Sequence, residues 1–139
     1  MSRPLKAEFG CVVCAVITEV MVRRATVSGV VYDTAPADIP VRALWDTGAG
    51  MSVISAKIVE KLALSSAGNG TLVGIGGAMP TELYDISVTL PNKVIFPLIR
   101  AAEWEGHRNY DMLIGMDVIS RGRFVIDNCA GKTVFTFDI

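Results

Sequence analysis

The sequence predicts an all-β domain carrying one or two short helices. Short runs rich in Val, Ile and Thr recur along the chain, turn residues separate them closely, and helical spacing is confined to two brief stretches. At 139 residues the chain is one ordinary domain, long enough to bury its own core.

Taken in order, residues 11–17 and 19–32 are β-branched and read as a long first hairpin. Asp33, Thr34, Pro36 and Asp38 mark a polar turn, after which residues 39–45 return as a strand that delivers Asp46. Residues 55–62 read as a short helix, with Ser55 as its cap and Ile58, Val59 and Leu62 on one face. Residues 71–73 and 81–90 are strands flanking Gly74-Ile75-Gly76-Gly77, and residues 94–100 form another after the Pro91-Asn92 turn. Residues 101–110 are polar and irregular and hold His107, the single histidine. Met112, Leu113 and Ile114 make a short apolar strand, followed by Gly115 and a single helical turn over 116–121. Residues 123–127 and 132–137 close the chain as a hairpin. Residues 1–18 are expected to be an N-terminal extension or an extra strand, with 19–139 as the main domain.

Composition narrows the function. Thirteen Lys and Arg against fourteen Asp and Glu give a net charge of −1, no electrostatic footprint for nucleic acid. The hydrophobic share of 51% and mean hydropathy of +0.45 are high for a small monomer, pointing to an apolar groove or to surface shared with a second subunit. No apolar run approaches the ~18 residues of a membrane span, so no membrane partner is expected. Residues 10–17 imitate a secretory leader, but Glu8 and Glu19 bracket them and no small-residue cleavage pattern follows. The odd count of three cysteines suggests a reducing, cytoplasmic setting. Cys11-x-x-Cys14 is half a zinc pattern, yet with Cys129 and His107 it would need every thiol and imidazole in the chain. Small apolar positions on a strand are the better reading of Cys11 and Cys14, and neither metal nor cofactor is expected.

The chemistry resides in Asp46-Thr47-Gly48-Ala49. A carboxylate at the end of a buried strand is costly unless it is held by hydrogen bonds or shared with a partner group. Gly48 permits a tight turn there, and the Thr47 hydroxyl can fix it. Gly74-Ile75-Gly76-Gly77 is no dinucleotide loop, because Met79 replaces the last glycine of Gly-x-Gly-x-x-Gly. Gly131-Lys132-Thr133 is likewise no phosphate loop, since Ile126 holds the leading glycine position. His107 has no serine or cysteine pattern beside it that would make a triad.

Read together, the ordered set of Asp46-Thr47-Gly48-Ala49, Val73-Gly74-Ile75-Gly76-Gly77 and Leu113-Ile114-Gly115-Met116-Asp117 resembles the retropepsin family of single-domain aspartic proteases. The likeness runs from about Thr26 to Phe137 and is nearest to bacterial members. It implies an acid-protease barrel that hydrolyses peptide bonds. Asp46 would be catalytic, Thr47 and Gly48 loop supports, and Ala49 and Met51 part of the substrate groove. Gly74, Ile75, Gly76 and Gly77 would be the flap, and Leu113, Ile114 and Gly115 the core cradling the catalytic loop. Peptide hydrolysis of this kind uses two carboxylates sharing a proton, one activating water while the other polarises the carbonyl. One Asp-Thr-Gly per chain implies a homodimer that brings two Asp46 together. Tyr32-Asp33-Thr34-Ala35 is the nearest internal imitation, but it lacks the glycine.

The chain departs from the viral pattern where viral members carry an acidic residue after Asp-Thr-Gly-Ala and an arginine after Ile-Gly. Gly50 and Met116 stand at those positions, so other contacts must hold a dimer. The alternative reading is a non-catalytic module of the same fold that grips extended peptides without cutting them. A purely structural β domain leaves the ordered motifs as coincidence.

Overall fold

The computed structural model describes residues 3–26 and 37–139. The expected turn over 33–36, the far end of the strand expected over 19–32 and the Tyr32-Asp33-Thr34-Ala35 imitation lie outside them. Among the described residues there are ten strands, β1 (Leu5–Glu8), β2 (Ile17–Arg24), β3 (Ile39–Trp45), β4 (Val53–Ser55), β5 (Gly68–Gly74), β6 (Gly77–Thr89), β7 (Ile95–Trp104), β8 (Met112–Ile114), β9 (Arg123–Asp127) and β10 (Val134–Asp138), and two short helices, α1 (Ala56–Lys61) and α2 (Met116–Ile119).

The larger sheet runs β2-β3-β8-β4-β7-β6-β5, and β2 also pairs with β6, closing six strands into a barrel from which β5 stands out. Closure leaves no free edge among the six, and their alternate side chains fill the interior. Val20 and Val22 of β2, Val41 and Ala43 of β3, and Ile86 and Val88 of β6 are all buried in this way. β3 and β4 follow one another in sequence but do not pair; β8 lies between them, parallel to β3 and antiparallel to β4. The chain leaving β3 must therefore loop over the end of β8 before it returns as β4.

The smaller sheet, β1-β10-β9, corrects the expected first hairpin. β1 pairs antiparallel with β10, matching Leu5 to Phe137, while residues 11–16 are not strand and connect to β2, which starts at Ile17. The boundary placed between residues 18 and 19 falls within β2. Trp45, the last residue of β3, meets the inner face of this sheet, its ring centroid 5.0 Å from Phe135, 5.1 Å from Phe137 and 6.1 Å from Phe124. Its buried indole Nε1 donates to Thr18 Oγ1 at 2.9 Å. Trp45 is thus a core residue, and it anchors the strand end from which Asp46 departs.

Other elements differ from expectation in detail. Ser55 precedes α1 but makes no side-chain cap, and its buried hydroxyl has no hydrogen-bond partner among the described residues. β7 runs on to Trp104, so residues 101–104 are strand rather than irregular, held by Thr81 Oγ1, which donates to the Glu103 carbonyl at 2.7 Å. Cys11 and Cys14 are exposed in the β1–β2 connection, not on a strand. Among the described residues no cluster of His, Cys, Asp or Glu could hold a metal ion, and no helix is long and apolar enough to cross a membrane.

Candidate active site

Asp46 opens the loop over the end of β8. Its backbone N–H donates to the Ile114 carbonyl at 2.9 Å, and its own carbonyl accepts from Ala49 N–H at 3.2 Å. The carboxylate is half-buried; Oδ1 accepts from Gly48 N–H at 2.8 Å, and Oδ2 has no partner among the described residues. A Cβ on Gly48 would stand 3.2 Å from that same Oδ1. The turn therefore aims one carboxylate oxygen with a backbone donor and leaves the other available.

Ile114 and Gly115 lie directly under the loop. An added Cβ at Gly115 would stand 2.7 Å from the Ala49 carbonyl oxygen and 2.8 Å from the Met51 carbonyl, distances no real side chain tolerates. Glycine is required here by close approach, not by a left-handed backbone. Met116 N–H donates to the Ala49 carbonyl at 2.7 Å, sealing the contact. Ile114 and Val118 are buried, whereas Leu113, the alternate residue on β8, is only half-buried.

Two residues complete the support in a role that sequence reasoning did not assign to them. Ser52 is buried; its N–H donates to Asp117 Oδ2 at 3.0 Å and its hydroxyl to Oδ1 at 2.8 Å. The same hydroxyl accepts from Gly115 N–H at 3.1 Å. The available signal was polarity in the wrong place: a serine between a loop and a buried strand, and an aspartate in a helix's first turn, both need partners.

Gly74-Ile75-Gly76-Gly77 forms the tip of the β5–β6 hairpin, with Gly74 opposite Gly77 and Ile75-Gly76 as the turn. Gly77 has φ of +109°, a conformation for which glycine is suited. Val73, Ile75 and Met79 are strongly exposed at this end. The base is fixed instead: Tyr84 Oη donates to Glu103 Oε1 at 2.9 Å, linking β6 to β7. A cavity of about 690 Å³ opens along that base, lined by Glu82, Glu103, Trp104 and Glu105 among others, and no residue of the Asp46 loop lines it. Met51 and Met116, each 38% exposed, stand instead beside the loop on open surface. His107 is exposed and stacks on Tyr110, far in role from a catalytic base.

A family model described as aspartyl protease matches residues 24–118, more than half of the chain. The chain belongs to the aspartyl protease family. Among solved structures, this aspartyl protease family member is similar to a retropepsin-like aspartic protease from Rickettsia conorii, with 16% identity, a TM-score of 0.60, and coverage of 99% of this chain and 96% of that one. It is also similar to the EIAV protease solved with an inhibitor, with 17% identity, a TM-score of 0.58, and coverage of 77% and 86%. At those identities the likeness establishes the retropepsin-like fold. No curated protein matches the sequence.

Proposed function

We propose that the chain is an aspartic endopeptidase whose active site forms when two copies bring their Asp46 side chains together. The observation that carries this reading is the Asp46 turn itself: one carboxylate oxygen held by Gly48 N–H, the other unpartnered among the described residues, in a loop bolted to β8 and α2. One aspartate cannot supply both the base that activates water and the acid that polarises the carbonyl. Two close carboxylates sharing a proton can, because full ionisation of both is unfavourable. The ionised member then removes a proton from water while the protonated member donates to the scissile carbonyl, needing neither metal nor cofactor.

The exposed Thr47, Gly48, Met51 and Met116 around Asp46 supply a partly apolar surface for the second copy and for substrate. The β5–β6 hairpin would serve as the flap: anchored at its base and ending in glycines and Ile75, it can close over a bound peptide and exclude water. Substrate would lie extended beneath it, exchanging backbone hydrogen bonds like an added strand, with Ala49 and Met51 along the groove. Digestion of a random peptide mixture from acidic to neutral pH tests the reading. Wild type should yield defined products and Asp46→Asn none, with its fold intact because the amide oxygen can still accept from Gly48 N–H. Equal products from both would remove Asp46 from the reaction. Products from neither, with peptides retained, would favour the non-cutting peptide binder.

A further inference from the structure

We infer that Asp117 and Ser52 are positioning residues that hold the Asp46 loop within a single subunit, before any partner arrives; their effect on catalysis rests on the protease reading, but their effect on the loop does not. The turn from Asp46 to Met51 is glycine-rich and exposed, and by composition it would be mobile. Five hydrogen bonds tie it and the following residue to the β8–α2 corner. Asp46 N–H reaches the Ile114 carbonyl and Met116 N–H the Ala49 carbonyl. The remaining three all pass through one side-chain pair: Ser52 N–H and Ser52 O–H donate to the two oxygens of Asp117, and Ser52 Oγ accepts from Gly115 N–H.

The pair works as a unit because its donors and acceptors are matched. Asp117 Oδ1 takes the Ser52 hydroxyl and also Val118 N–H at 3.1 Å, and Oδ2 takes the Ser52 amide. A carboxylate is an acceptor at both oxygens, so it can face two donors from one residue. An asparagine offers one acceptor and one donor, and either amide orientation sets its NH2 against one of those Ser52 groups. Where the NH2 takes the Oδ1 position, the serine oxygen, with two lone pairs, can accept from it as well as from Gly115 N–H, but Val118 N–H then faces a donor. Arg121 does not compensate, since its Nε donates to the Asp117 main-chain carbonyl and not to the carboxylate. Loss of the pair frees Gly115 from Ser52 beneath Ala49 and Met51, where no slack exists for a side chain. The carboxylate of Asp46 then loses its fixed aim, and a misplacement of ~1 Å costs about 10²-fold in rate.

The test compares wild type, Asp117→Asn, Ser52→Ala and the double variant by amide hydrogen exchange and by peptide-cleavage kinetics. Exchange at Gly48, Ala49 and Met116 should quicken at least ~10-fold in each variant, while amides of β9 and β10 keep their wild-type rates. With cleavable substrate, kcat per folded chain should fall by about 10- to 100-fold with KM little changed; because a smaller folded fraction also lowers apparent kcat at constant KM, the folded fraction of each variant is counted by tryptophan fluorescence. The double variant should fall short of the sum of the two single effects, because both remove the bond between the Ser52 hydroxyl and Asp117. Wild-type exchange at Gly48, Ala49 and Met116 in Ser52→Ala, the milder change, would overturn the inference even if Asp117→Asn fails to fold. Faster loop exchange in a protein that cleaves nothing would retain the positioning role and discard the protease reading.

Discussion

Replacing Gly115 with alanine puts the close backbone contact beneath the Asp46 loop to a quantitative test. The new Cβ would meet three backbone atoms, the Ala49 oxygen at 2.7 Å and the Met51 carbon and oxygen at 2.8 Å, none of which can rotate away like a side chain. Overpacking of this kind costs about 1–3 kcal/mol. Relief by moving the loop would lengthen the bonds from Met116 N–H to Ala49 and from Gly115 N–H to Ser52, each worth ~1 kcal/mol. The expected loss is therefore about 2–4 kcal/mol, or roughly 8–16 °C in Tm at ~4 °C per kcal/mol for a domain of this size. Gly74→Ala is the matched control: nothing lies within 4 Å of its added Cβ, and its stability should stay within ~0.5 kcal/mol of wild type. Urea denaturation followed by tryptophan fluorescence measures both. A Gly115→Ala protein as stable as the control would refute the close approach of the β8–α2 corner to the Asp46 loop.

Three further outcomes follow from particular contacts. Thr18→Val strands the buried Nε1 of Trp45 without its acceptor and should cost about 1–3 kcal/mol in urea denaturation. Ser55→Ala should fall within ~0.5 kcal/mol of wild type, or be stabilising, because the hydroxyl is buried and unpartnered; a loss of ~1 kcal/mol would mean that Ser55 caps α1 after all. Burial first, then the hydrogen bond and charge of Glu103, push Tyr84 up to about 12. The unfolded chain loses this proton near ~10, so stability contributed by the protonated phenol is full below that and declines as pH rises from about 10 to 12. Phenolate absorbance should show a late step near 12 that Tyr84→Phe removes, and persistence of that step in the variant would reassign it.

Local signals gave away the parts of this molecule that local physics governs. Met112, Leu113 and Ile114 form the three-residue strand that their apolar run suggests, and Ile75-Gly76 is the turn that glycine chemistry demands. The all-β class followed from β-branched runs and short connections, whereas the barrel was implied only by the resemblance that the ordered motifs carry. What stayed hidden was set by partners distant in sequence. Nothing in Leu5–Glu8 announces that it will pair with Val134–Asp138 rather than with the next strand, because the decisive contacts are with Phe135 and Phe137 at the far end of the chain. β7 continues through Glu103 and Trp104 since Thr81 and β4 bind that polar stretch, a tertiary override of its composition. Ser52 and Asp117 are 65 residues apart and look ordinary alone; only the crossing of the loop over β8 brings them together. Met116 and Gly50 stand where viral members carry charges, and the Ser52–Asp117 pair nearby ties the same two segments within one chain.

A mixing experiment tests the central claim most directly. Wild-type protein is equilibrated with a roughly nine-fold excess of Asp46→Asn, and peptide cleavage is measured per wild-type chain. If two copies each contribute one Asp46, random pairing leaves only about one wild-type chain in ten with an active partner, and activity should fall about ten-fold. An unchanged rate per wild-type chain, with exchange between subunits verified by mass, would contradict the shared dyad.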